Sequence, residues 1–212
     1  MLEDIALIYD KNFERIIALV TVYRNLTENK AGRIPIRHLD LLRASVVMMH
    51  STLEDFIRNV LKWRLPYSDA ALSGIPIYTS DYNRRKIKFE LNDLVEHRSR
   101  VVDSVIKESV KNYLDTVSFN NTNDISVWLE KIDIDITTDM RKTYRLLQNM
   151  ITRRHEIVHQ ADRNSDRFIP GWRVNRINLQ MVESWYRNVD VFVSEVSSCL
   201  RNSIDNMEQG NI

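Results

Sequence analysis

The chain has 212 residues, enough for one well-filled core and short for two domains. With only Gly 4 and Pro 4, it lacks the permissive backbone that sandwiches, Rossmann turns and phosphate-cradling loops draw on, so long helices with few connections are expected instead. A formal net charge of +1 neither demands nor excludes nucleic acid, because a local patch can bind RNA on a neutral protein.

The first element is expected over about residues 3–28, where Tyr9, Phe13, Ile16, Val20 and Tyr23 recur at steps of three and four. Gly32 and Pro35 interrupt it. The second is a sustained stripe of Leu39, Leu42, Val46, Met49, Leu53, Phe56, Val60 and Trp63, ended by Pro66. A loop is expected from Pro66 to Ser80, then two helices near 81–97 and 100–116. The run Asn120-Asn121-Thr122-Asn123-Asp124 can cap a short helix at about 124–131. The next helix starts after Thr138 or Asp139 as cap, and carries Met140, Tyr144, Leu147 and Ile151 on one face. A polar loop from Asp162 to Arg173 separates it from a last helix with Val182, Trp185, Val189, Phe192, Val196 and Leu200 in register. The stripes predict an all-α bundle in a single domain, 1–212.

One cysteine, Cys199, leaves no internal disulfide, which suits a reducing cytoplasmic setting. The acidic start Met1-Leu2-Glu3-Asp4 lacks the basic region of a secretory signal. No apolar run is long enough to span a bilayer, so no membrane association is expected.

The segment Arg154-His155-Glu156-Ile157-Val158-His159 stands out. At roughly 100° per residue, Leu147, Met150, Ile151, Ile157 and Val158 fall within about 60° of Arg154. Arg154 thus sits mid-way across the apolar face, where a guanidinium that keeps its proton needs a carboxylate or a phosphate. His155 and His159 lie about 100° and 140° round, and Glu156 points nearly opposite, towards solvent. A structural ion pair with surface histidines and an anion-binding site both fit this placement. Arg43, Val47, His50 and Glu54 run along one flank of the second helix. Glu54 is placed to neutralise Arg154 or to hold a histidine tautomer; a merely solvated flank fits as well.

The same letters spell H-E-x-x-H, His155 to His159, the spacing by which zinc metalloproteases present two imidazoles, with Glu183 as a formal third ligand. The surroundings speak for another chemistry: no strand is evident to hold a substrate, and Arg154 rather than a histidine centres the inward arc. No metal and no cofactor are expected.

The run Arg153-Arg154-His155-Glu156-Ile157-Val158-His159-Gln160-Ala161-Asp162, with its Arg-x(4)-His spacing late in a long helix, resembles the HEPN family of helical-bundle ribonucleases. So do the stretch from Leu41 to Phe56 and the segment Val117-Ser118-Phe119-Asn120 followed by Asp124-Ile125. The resemblance covers roughly residues 39–162 and makes the first and last helices additions to an HEPN-like core. Many HEPN proteins carry Asn or Asp after the motif arginine; here it is His155. The resemblance implies metal-independent RNA cleavage at a homodimer interface, with Arg154 and His159 catalytic and His155 and Glu54 in support. Arg153 and Arg163 are candidates for flanking phosphates, with Arg167, Arg173 and Arg176 beyond them; a solvated loop balanced by Asp162 and Asp166 is the plainer account. Trp172 and Tyr186 are possible base-stacking rings. The expected partners are RNA, a second copy of the chain, and an antitoxin or other protein, since many relatives are toxins or defence effectors. A catalytically silent HEPN module that dimerises or binds a partner is the second reading, and the zinc hydrolase is the third.

Overall fold

The computed structural model describes residues 1–28, 32–78, 91–163 and 174–209. Its helices are α1 (Leu2–Thr27), α2 (Ile36–Arg64), α3 (Asp69–Leu72), α4 (Val102–Thr116), α5 (Thr122–Glu130), α6 (Thr138–Gln160) and α7 (Leu179–Gln209). Two 3₁₀ segments, Leu65–Tyr67 and Leu91–His97, join them. Among the described residues there is no strand beyond an isolated antiparallel bridge, Arg163 with Val174, and no helix is long and apolar enough to cross a membrane. The chain is an all-α bundle.

The bundle is organised around α2, which packs against α1, α4, α5, α6 and α7. The sequence explains why. Leu42, Val46, Met49, Leu53, Phe56, Ile57, Val60 and Leu61 are all buried, a wider arc than a helix lying on one surface needs. Each such side chain contributes about 1.5–3 kcal/mol when fully buried. Aromatic rings then seam the outer helices to this core. Tyr9 of α1 meets Phe56 edge-on, with centroids 5.7 Å apart, and Phe13 meets Tyr186 of α7 at 6.0 Å. Tyr144 of α6 packs against Phe192 of α7 at 6.2 Å. Such pairs add roughly 0.5–1.5 kcal/mol each beyond burial.

Several boundaries differ from the expected ones. The loop after Pro66 contains the short helix α3. Of the helix expected at 81–97, residues 91–97 form a 3₁₀ segment, and 79–90 lie outside the described residues. Asn121 caps α5, its side chain accepting from the Asp124 N–H at 2.8 Å. The cap of α6 is Thr137, one residue ahead of the expected pair, because its hydroxyl reaches Met140 N at 3.1 Å.

Asp162, expected in a solvated loop, is 1% exposed. Its Oδ2 accepts from Arg43 Nε of α2 at 2.5 Å and from Arg153 Nη2 of α6 at 2.9 Å. Arg43 further binds the Asn175 carbonyl at 3.0 Å and Asp40 at 3.1 Å. Arg153 also binds Glu156 at 3.3 Å and the Arg176 carbonyl at 3.2 Å. The Asn175 N–H donates to the Asp162 carbonyl at 2.8 Å. One carboxylate therefore joins α2, the end of α6 and the segment that leads into α7.

The backbone bends sharply there. Ala161 and Asp162 take left-handed φ values of 50° and 55°, and both of their N–H groups donate to the Glu156 carbonyl. Removing one member of a buried ion pair leaves the others uncompensated and costs about 3–5 kcal/mol. Asp162→Ala should therefore lower the thermal midpoint by roughly 10 °C. A shift of only a degree or two, measured by circular dichroism, would show that the clamp does not hold this end of the bundle.

Candidate functional site

Helix α6 leaves the core as it runs. Leu147, Met150 and Ile151 are buried, Arg154 and Ile157 are half-buried, and Val158 is exposed. The last turns thus carry an apolar face into the open, with Arg154 at the point of transition. Arg154 Nε is fully buried and has no hydrogen-bond partner, and no carboxylate lies within ion-pair reach of the guanidinium among the described residues.

Its neighbours are placed differently. Arg43 and Arg153 share Asp162. Arg58 of α2 is bound to Glu54 at 2.9 Å and to the Val117 carbonyl at 3.0 Å, also reaches the Leu114 carbonyl, and lies over the Phe119 ring. Arg154 alone in this group keeps an unmatched charge. A buried N–H without an acceptor is costly, and a planar guanidinium is well shaped to receive an oxyanion.

The two motif histidines lie together. The His155 and His159 rings have centroids 4.5 Å apart at 44°, as expected for side chains one turn apart on a helix. Both are exposed. Arg163 is exposed just past the helix end, its N–H donating to the Gln160 carbonyl at 3.0 Å, and Arg176 is exposed on the returning segment. Arg153, a candidate for a flanking phosphate, is instead occupied by Asp162, Glu156 and the Arg176 carbonyl. Glu156, expected in solvent, is half-buried because Arg153 one turn earlier draws it in. Tyr186 is packed against Phe13 and the core. Arg167, Trp172 and Arg173 lie outside the described residues.

Glu54 goes to Arg58 and not to Arg154. Oε1 accepts from Arg58 Nη2, while Oε2 lies 3.8 Å from His50 Nδ1. His50 is 1% exposed, and its Nε2 lies 3.3 Å from the Phe119 carbonyl. A carbonyl only accepts, so Nε2 carries the proton and Nδ1 holds the lone pair. The backbone, not Glu54, sets this tautomer. Burial pushes the imidazole below its ordinary range, the Arg154 charge lowers it further, and Glu54 and the Phe119 carbonyl pull the other way.

No group of three or more His, Cys, Asp or Glu stands together so as to hold a metal ion among the described residues. Glu183, the formal third ligand of an H-E-x-x-H reading, is paired with Arg24 and Arg187.

A bundle helix that carries Arg-x(4)-His where it leaves the core is the arrangement of an HEPN domain. The family described as RiboL-PSP-HEPN matches residues 10–202. The chain belongs to the HEPN family, whose members are often nucleases or RNA-binding modules. The match takes in most of α1 and α7 as well as the motif helix. Comparison with curated proteins and with solved structures finds no match.

The displaced titration of His50 has a consequence for stability. A ring whose folded pKa lies below 6.5 stays neutral while the unfolded chain takes up a proton. Stability must therefore fall as pH drops through about 6.5, by at most about 1.4 kcal/mol per pH unit. Denaturant unfolding between about pH 7.5 and pH 5.5 should show a shallower pH dependence in His50→Gln than in the unaltered chain. Equal slopes would mean that His50 is not held neutral.

Proposed function

We propose that the protein is a metal-independent endoribonuclease acting as a homodimer, and that it serves as a toxin or defence effector in the cytoplasm. The observation that carries this reading is the unmatched charge of Arg154, half-buried on the same last turns of α6 as the paired rings of His155 and His159. A structural arginine would have a carboxylate, as Arg43, Arg58 and Arg153 do. An arginine kept for a phosphodiester would not. Membership of the HEPN family supports the same reading.

In the proposed reaction a ribose 2′-oxygen attacks the adjacent phosphorus. The P–O5′ bond breaks, leaving a 2′,3′-cyclic phosphate and a 5′-hydroxyl. His159 accepts the 2′-OH proton; an imidazole suits this because its ordinary pKa lies near neutrality. Arg154 binds the non-bridging oxygens and stabilises the charge that grows on them. In-line attack puts the entering and leaving oxygens on opposite sides of phosphorus, so a second group must protonate the 5′-oxygen. The His159 of a second copy, brought across a two-fold axis, fills that role. Val158, 46% exposed beside the motif, is an apolar side chain for such an interface to cover. His155 supports His159 by packing against it, and Glu54 supports the site through Arg58 and His50. Arg163 is an exposed cation for a flanking phosphate. Arg153 acts on the site through Asp162. RNA is the substrate, and a protein antitoxin that covers the exposed face is a fitting regulator.

The test is RNA cleavage in EDTA, with product ends mapped. The unaltered chain should cut and leave cyclic phosphates, and His159→Ala should be slower by about 10²–10⁴. Arg154→Ala should be slower by about 10²–10³. Both variants should stay folded and dimeric by light scattering. Chelator-sensitive cleavage would sink the mechanism, and a strictly monomeric active protein would sink the composite site. Intact RNA with a folded dimer would instead support a catalytically silent HEPN module.

A further inference from the structure

A cavity lies between α4 and the chain that precedes it. Its volume is about 350 Å³, at the lower end of the range for small-molecule sites and more than twice the roughly 150 Å³ that holds a benzene ring. Leu72 and Ile75 wall it from α3 and the turn that follows, Leu94 from the second 3₁₀ segment, and Val105, Ile106 and Val110 from α4. None of the described residues that line it belongs to α6. The polar groups of the wall are turned to one another. The Ser109 hydroxyl accepts from the Tyr78 N–H at 2.9 Å. His97 Nε2 donates to the Tyr78 carbonyl at 2.8 Å, since a carbonyl only accepts. Ser109 and His97 are both buried, and His97 Nδ1 is covered without a hydrogen-bond partner. Arg100, exposed where it lines the cavity, pairs through Nη1 with Glu108 Oε2 at 2.6 Å.

We infer that this cavity is a binding site for the aliphatic chain of a small amphiphile, with an uncharged polar head at the mouth beside Arg100 and Glu108. The inference is independent of the reading of Arg154. A buried water needs two to four polar partners, and here the Ser109 and His97 side chains and the Tyr78 peptide groups already serve one another. Walls of branched aliphatic side chains around such self-satisfied groups make a space that water hydrates poorly, and an apolar ligand gains most by entering a space of that kind. The rim agrees with the interior. Val102 is 70% exposed and Leu94 41%, so a chain seated between them would remove apolar surface from water on the protein as well as its own. At the mouth the Arg100 and Glu108 charges cancel, which leaves donors and acceptors for a hydroxyl or an ester and no net charge to select an ion. Once seated, the chain would serve as a removable piece of core that joins the end of α3 and the second 3₁₀ segment to α4.

The experiment is an NMR titration of the full chain with straight-chain primary alcohols from butanol to decanol, read at the methyl groups and the histidine rings. The Ile106 and Val110 methyls and the His97 ring should shift together. Affinity should rise by about fourfold for each added methylene, then level off at the chain length that fills the cavity. Val105→Phe, which fills the space from α4, should weaken octanol binding by at least about tenfold. If that variant loses its dispersed amide spectrum, Leu94→Trp blocks the mouth from an exposed position instead. An affinity that stays flat along the series overturns the inference. Binding that survives the filled or blocked variant also overturns it, because the alcohol would then sit on exposed side chains such as Val101, outside the cavity. If the cavity methyls shift with protein concentration and the alcohols leave them unmoved, a second copy of the chain covers this face and the small-molecule assignment fails.

Discussion

Much of this protein is arranged around one buried carboxylate. Asp162 lies between Arg43 and Arg153, and both arginines also donate to a backbone carbonyl and a further carboxylate of the same corner, while Arg153 Nε finds no partner. Desolvating three charges is expensive, and the two guanidinium bonds to Asp162 Oδ2 offset it only in part, because Asp162 Oδ1 and Arg153 Nε are buried without hydrogen-bond partners. The reward is definition more than stability. An apolar contact between α2 and α6 could slide by a turn, whereas a carboxylate that accepts from two guanidinium groups fits one register. The end of α6, with His155 and His159 on its last turns, is placed by that register.

Adjacent arginines on α6 are thereby given opposite tasks. Arg153 turns towards Asp162 and Glu156 and is consumed by the fold, while Arg154, one residue on and about 100° round, meets no carboxylate among the described residues. Helix α2 repeats the division. Arg43 and Arg58 are engaged, and between them His50 and Glu54 form a polar line inside an otherwise apolar surface. The bundle thus encloses a strip of balanced charge on α2 and sets against it, on α6, the Arg154 guanidinium, which has no carboxylate partner among the described residues. The buried ring of His50 on α2 is held below its ordinary range, by burial first and by the Arg154 charge second.

The helices were legible because apolar periodicity is local: Leu42 to Val60 on α2 and Val182 to Leu200 on α7 need no knowledge of the rest of the chain. The HEPN resemblance was legible for the same reason, since Arg154 and His159 are fixed by spacing on one helix. What could not be read was which arginine meets which carboxylate. Arg43 and Asp162 are 119 residues apart, and nothing local marks Asp162 as buried, because polar residues surround it. The pairing of Glu54 with Arg58 is another matter. It is an i,i+4 pair on one helix, the spacing at which opposite charges meet, and the sequence shows it to anyone who looks past Arg154. The bend at Ala161 was hidden for a further reason: a left-handed helix end is usually written with glycine, and here it is written with alanine and aspartate.

That last choice of residues has a consequence. Glycine would stop α6 by its own preference, whereas alanine in the left-handed region resists by about 1 kcal/mol. The stop at Ala161 is therefore supported from outside as well, by the arginines that hold Asp162. Helix termination here leans on tertiary contacts with α2 as well as on the local bonds of the Ala161 and Asp162 N–H groups to the Glu156 carbonyl. In this protein the face that carries the motif histidines would be among the first features to blur when the corner loosens.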